Sequence, residues 1–220
     1  MSDDHPGTTR VLLQLMKLRV VVLLQITALC AILAHDILVR YDSIDGDRSW
    51  YDTIWTSVVT LVGGTLAAGG SNAINMVYDR DIDSEMSRTR SRPIPKGWIS
   101  AKSALIFGII ISISGSSMFL LLHWKAAFWS FFSVVFYVFV YTIWLKRRTP
   151  QNIVIGGIAG ATPPVIGWVG AAAANVPDNF NPFDLGSPVP WMLFLLIFLW
   201  TPPHFWALAL YGSGEYGKVG

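Results

Sequence analysis

The sequence predicts an all-α fold, a polytopic transmembrane helical bundle of about six helices, and three observations carry that prediction. Hydrophobic residues make up 53% of the 220-residue chain and charged residues only 14%, with a mean hydropathy of +0.49. A soluble domain usually carries about 25% charged residues. The apolar residues gather in blocks near 20–39, 54–78, 103–122, 126–145, 151–172 and 190–211. Each block is close to the roughly 20 residues with which a helix crosses about 30 Å of hydrocarbon. Finally, with the N-terminus inside, 13 of the 16 Lys and Arg residues fall on one side of the membrane. That asymmetry places the N-terminus in the cytoplasm.

The opening segment MSDDHPGTTR is acidic and unlike an Arg-rich transit peptide, which favours a bacterial plasma (inner) membrane. The first block is too long for a signal-peptide core and no small-residue cleavage site follows it, so it is a helix. It holds the single cysteine, Cys30, which excludes an internal disulfide and suggests no thiolate metal site. His35 falls at its outer end and is expected at the interface. The outer loops carry Asp36, Asp42, Asp45, Asp47, Asp52, Asp178 and Asp184, expected as solvated surface. Blocks two and five are rich in glycine, which suits helices packed against other helices rather than lipid. Lys146, Arg147 and Arg148 close the fourth block as a positive-inside anchor. In the sixth, Pro202 and Pro203 should kink or start a helix, and His204 lies at the depth of the asparagines of block two. A net charge of +2 gives no support for nucleic-acid binding.

The second block ends in the chain's most unusual stretch, SNAINMVYDRDIDSEMSRTRSRPIPKG, residues 71–97. Asn75, Asp79 and Asp83 are spaced i, i+4, i+8. On a continuing helix they share one face, drifting about 40° per step, with Asn72 one turn deeper and Asp81 on the far side. Such a row of hard oxygen donors suits Mg²⁺, which keeps room for water and phosphate oxygens. The EF-hand reading fails, because Ser84 and Arg90 stand where a glycine and a glutamate are required. A wetted helix end with weak Asp–Arg pairs is the plainer alternative. Against it, asparagines inside an apolar span are expensive and usually functional. A dense basic loop, Arg88, Arg90, Arg92, Lys96 and Lys102, also follows and could close over an anion. The physical reading is a lipid diphosphate with its head at the cytoplasmic rim and its tail in the bundle. There is no P-loop, G-x-S-x-G, HExxH or cysteine cluster.

NMVYDRDID resembles the N-x-x-x-D-x-x-x-D motif of the UbiA-type intramembrane prenyltransferases. Two further stretches, LKRRTPQNIVIGGIAGATPPVIGW (145–168) and TPPHFWALALY (201–211), are similar to the heme-farnesylating branch of that superfamily. The resemblance covers most of the chain as a single transmembrane prenyltransferase domain, residues 1–220. It implies transfer of a farnesyl group from farnesyl diphosphate to a vinyl group of heme b, with Mg²⁺ assisting ionisation to an allylic cation. By the same resemblance Asn75, Asp79 and Asp83 form the metal and diphosphate site, and Arg88, Arg92 and Lys96 serve the diphosphate. Lys146 and Asn152 would face the same chamber, and His204 would contact heme as an iron ligand or through a propionate. Expected partners are the bilayer, farnesyl diphosphate, heme b, and heme A synthase or a terminal oxidase assembly. The superfamily pattern has nine helices and a second acidic motif, of which YGSGEYGKVG retains Glu215 as a further metal ligand. A chain with six spans is therefore expected to be truncated at its C-terminus. An aromatic prenyltransferase for quinone precursors, and a heme-handling or transport protein, are the alternative functions.

Overall fold

The computed structural model describes residues 6–41, 43–87 and 89–211, the last four of these by backbone only. Asp42, Arg88, Glu215 and Lys218 lie outside the described residues, as do the acidic residues of the first five positions. The described chain is all helical. In order come α1 (Thr8–Met16), α2 (Leu18–Arg40), α3 (Trp50–Tyr78), α4 (Arg80–Glu85), α5 (Ala101–Met118), α6 (Trp124–Val135), α7 (Asn152–Ala161), α8 (Pro163–Ala171) and α9 (Val189–Tyr211). A 3-10 turn extends α5 to Leu121, and a π-helix, Phe136–Leu145, extends α6. Six segments are long and apolar enough to cross a membrane: Leu18–Arg40, Trp50–Tyr78, Ala101–Leu121, Trp124–Leu145, Asn152–Ala171 and Val189–Ala207.

Local chemistry explains the breaks. Ser49 and Asp52 form a capping box at the start of α3, so Asp52 is a helix cap rather than free surface. The span made by α7 and α8 breaks at Thr162, whose hydroxyl bonds back to Ala159 O at 2.8 Å before Pro163 and Pro164 open α8. Pro202 and Pro203 do not break α9, which runs through them. The glycine-rich spans pack closely, as their composition predicts. A Cβ on Gly115 of α5 would lie 2.4 Å from Ala67 N of α3, and one on Gly167 of α8 would lie 2.3 Å from Ala28 O of α2.

The end of the bundle away from the carboxylate row corrects the expectation of solvated residues. His35 and Asp36 are 2% and 3% exposed. The Asp36 carboxylate accepts from Thr53 Oγ1 at 2.6 Å and lies 2.7 Å from Arg48 Nε as a charge contact without hydrogen-bond alignment. Arg48 also donates to Ala171 O at 2.9 Å, so the cluster ties α2, α3 and α8 together. A carboxylate buried this deeply persists because it is paired. Asp45, Asp47 and Asp178 are exposed, as expected.

Candidate active site

The carboxylate row forms where α3 passes into α4. Asp79 caps α3 with φ −85° and ψ 3°, yet the i→i+4 ladder continues across it: Asp79 N bonds to Asn75 O at 3.0 Å and Asp83 N to Asp79 O at 2.8 Å. The turn therefore bends the helix without losing the shared face. Asn72, Asn75, Asp79 and Asp83 are all buried, whereas the Asp81 side chain is 61% exposed.

Each member of the row meets a partner from elsewhere in the chain. Lys17 Nζ donates to Asn75 Oδ1 at 2.8 Å. Lys146 Nζ pairs with Asp79 Oδ2. Arg92 places one guanidinium nitrogen 2.7 and 2.6 Å from the two oxygens of Asp83. Deeper in the span, Asn72 donates to Met16 O at 2.9 Å and accepts from the Tyr137 hydroxyl at 3.3 Å. Outside the row, Arg147 holds Asp81 through two bonds of 2.6 and 2.8 Å and stacks over Tyr78. That contact pulls the Asp81 carboxyl down to about 2. Lys146 and Arg147 thus do more than anchor the chain to a membrane surface.

Two backbone irregularities aim these groups. Lys17 stands between α1 and α2 with φ 52°, the one non-glycine residue with positive φ among the described residues. For a side chain with a Cβ this conformation is uncommon, and here it turns the ammonium inward to Asn75. Burial first, and the nearby cations Arg92 and Lys146 next, lower the Lys17 pKa to about 8, against the opposing pull of Asp79 and Asp83. The π-helix does the same for its own residues. Its i→i−5 pattern, seen in Lys146 N to Tyr141 O at 2.9 Å, brings Tyr137, Thr142 and Lys146 to the face that meets α3. Thr142 accepts from Asn75 Nδ2 at 3.2 Å.

Beside Asn72 lies an apolar cavity of about 390 Å³, bounded by α2, α3, the π-helix, α7 and α9. His204 lines it, half-buried and stacked on Trp200 with ring centroids 4.3 Å apart. Asn152 does not line it; its amide turns back to Thr149 O at 2.7 Å. Lys96 sits exposed in the turn after Arg92. Of the residues named from sequence, the structure gathers Asn72, Asn75, Asp79, Asp83, Arg92 and Lys146 into one cluster, with His204 on the adjoining cavity. Lys17, Tyr137 and Thr142 were not singled out as site residues, and Lys17 read only as one more positive-inside charge.

An Asn–Asp–Asp row matched to cations thus lies within a helical bundle, and Asn72, one turn deeper on the same helix, reaches the wall of an apolar chamber. Residues 45–217 match the UbiA prenyltransferase family, and the chain belongs to that family. Within it, the chain is 54% identical over 156 residues to a protein of Parvibaculum lavamentivorans named protoheme IX farnesyltransferase, covering 70% of this chain and 46% of that one. Proteins of the same name from Bartonella tribocorum and Caulobacter sp. are each 44% identical over 94% of this chain, which covers 59% and 53% of their lengths. The chain spans about half the length of the curated relatives it matches.

Proposed function

We propose that this protein transfers the farnesyl group of farnesyl diphosphate to a vinyl group of heme b in a bacterial inner membrane, giving heme O and diphosphate. The observation that carries the reading is the pairing of Asn75, Asp79 and Asp83 with Lys17, Lys146 and Arg92 beside the apolar cavity. The similarity to proteins named protoheme IX farnesyltransferase supports heme as the acceptor.

The donor set fits Mg²⁺. It offers two carboxylates and an amide oxygen, and Asp79 Oδ1 is buried with no hydrogen-bond partner among the described residues. Hard oxygen ligands few in number, leaving positions for water and phosphate, are what this ion takes. Asn75, Asp79 and Asp83 would hold it, and when bound it would neutralise charge on the departing diphosphate. The chain's own cations do the rest. With a diphosphate at the row, Lys17, Lys146 and Arg92 exchange their bonds to protein oxygens for bonds to phosphate oxygens. Their charge stabilises the diphosphate as its bond to the farnesyl C1 breaks. The tail lies in the apolar cavity, where exclusion of water protects the allylic cation until the vinyl π bond attacks C1. Water then adds to the resulting cation and loses a proton, leaving a hydroxyethylfarnesyl side chain. His204, on the cavity wall, would meet the acceptor.

The test is mass analysis of hemes extracted from cells producing the full-length protein, supplied with Mg²⁺ and farnesyl diphosphate. Heme O is expected, and it should be absent in the Asp79→Asn variant. A prenylated quinone precursor without heme O would move the acceptor to an aromatic acid. No prenylated product of either kind would end the transferase reading.

A further inference from the structure

Three glycines of α7 face the cavity, and they differ in what surrounds them. A Cβ on Gly156 would come within 2.4 Å of the Tyr141 ring, and one on Gly157 within 3.2 Å of the Thr201 side chain. Neighbouring side chains already use that space. A Cβ on Gly160 would meet nothing within 4 Å, and Gly160 lines the cavity. The missing side chain at position 160 therefore contributes open volume to the chamber rather than room for a packed neighbour.

The depth of Gly160 follows from two hydrogen bonds. Tyr137 reaches Asn72 at 3.3 Å, and Ser133, one turn further along the same span, donates to Ala159 O at 3.1 Å. Asn72 lies seven residues along α3 from Asp79, about 10 Å, and the step from Tyr137 to Ser133 adds about 6 Å. Gly160 thus borders the chamber about 16 Å inward from the carboxylate row. Along α3 the lining continues from Asn72 to Thr60, a further stretch of about 18 Å from end to end. A tail whose diphosphate sits at the row passes position 160 with its distal part.

We infer that Gly160 is a specificity-determining residue that sets the length of prenyl chain the chamber accepts. The inference rests on the reading of the row and cavity as a prenyl diphosphate site. A side chain at 160 projects into the path of the tail's far end, so it excludes longer chains while leaving the reacting end untouched. Its neighbours need not move, because the space is open. Alanine should shorten the chamber slightly and leucine substantially.

The experiment compares full-length wild type with Gly160→Ala and Gly160→Leu, giving each Mg²⁺, heme b and equal amounts of geranyl, farnesyl and geranylgeranyl diphosphate. Products are separated by mass. Gly160→Leu is expected to shift the geranyl-to-farnesyl product ratio by about tenfold or more, since methylene-sized differences in an apolar pocket carry discrimination of that order. Gly160→Ala should shift it less, in the same direction, with a melting temperature unchanged or raised because alanine suits a helix interior better than glycine. An unchanged ratio overturns the inference, whether or not the total rate falls. A second measurement needs no acceptor: stabilisation of each protein against heat by geranyl or farnesyl diphosphate with Mg²⁺. Farnesyl diphosphate should lose its advantage in Gly160→Leu, and equal selectivity in wild type and variant overturns the inference even if the acceptor is not heme. Wild type that makes no prenylated heme yet shows this selectivity would refute the heme reading alone.

Discussion

Asp79→Asn is the substitution that best separates chemistry from folding. The Asp79 side chain is 4% exposed and its partner Lys146 is 32% exposed. Asparagine keeps the shape and an oxygen, and removes one negative charge from a group already withdrawn from water. The Lys146 ammonium, a third exposed, regains water when the pair is lost, so the penalty is nearer that of a surface pair than of a buried one. A stability change of about 1 kcal/mol or less is expected. The effect on transfer should be much larger. Weakening the hold on a cation aimed at developing charge should cost about as much as losing one preorganised electrostatic group, about 2.7–4 kcal/mol, a rate loss on the order of 10²–10³. The assay is initial-rate formation of heme O in membranes, beside unfolding of the purified protein in detergent. A variant within about tenfold of wild type, or a rate loss matched by lost folded protein, would refute the argument that Asp79 serves the diphosphate by holding the metal ion.

Lys17→Met tests the buried ammonium through pH. With the folded pKa near 8 against an ordinary lysine value of 10.5, the charged form is disfavoured in the fold. Below pH 8 both states hold the proton and the penalty is complete; between 8 and 10.5 only the unfolded state holds it. Wild-type stability in detergent should therefore rise across that window by about 3 kcal/mol relative to Lys17→Met, and equal slopes would count against the assignment. Arg92→Lys replaces a guanidinium, one nitrogen of which contacts both Asp83 oxygens while its other donors stay available for phosphate, with a point charge. Its transfer rate should fall about tenfold, as for one hydrogen bond to a charged group, with little change in melting temperature. Gly115→Val would press a side chain against Ala67 N and Gly63 O, both backbone atoms. Unfolding in detergent should show a loss of about 3 kcal/mol, the upper part of the range for overpacking.

The six spans were legible because their signal is composition over about 20 residues, which does not depend on knowing the partners of any helix. The face shared by Asn75, Asp79 and Asp83 was legible for a similar reason: the helical period alone relates positions four apart. What the sequence hid depends on departures from that period. On an α-helix at about 100° per residue, Tyr137 and Thr142 point about 140° apart. The π-helix brings them to one face, and nothing in FYVFVYTIWL announces the wider turn. Lys17 was hidden because the short α1 precedes it and its left-handed backbone reverses the expected direction of the side chain. His35 and Asp36 were misplaced because depth along a helix does not reveal pairing. Their burial follows from Arg48 and Thr53, which arrive from the next loop and helix.

The pairing of the row has a consequence for specificity of charge. Lys17, Lys146 and Arg92 come from three separate segments, and each meets a different member of one helical row. Without a diphosphate, Lys146 and Arg92 balance the two buried carboxylates, and Lys17 is held by the neutral Asn75 amide. On the proposed function, arrival of a diphosphate with a divalent cation would change partners and add at most one net negative charge, which the Lys17 ammonium can meet: the carboxylates would hold the cation and the phosphates would take the ammonium and guanidinium groups. A neutral lipid offers no such exchange and would leave every pair as it stands. A diphosphate without the cation would compete with Asp79 and Asp83 for Lys146 and Arg92, leaving carboxylates buried without counter-charge. On the proposed function, charge balance would thus favour the diphosphate and the divalent ion together over either alone. That coupling follows from charge balance in a low-dielectric site, where each uncompensated group is expensive.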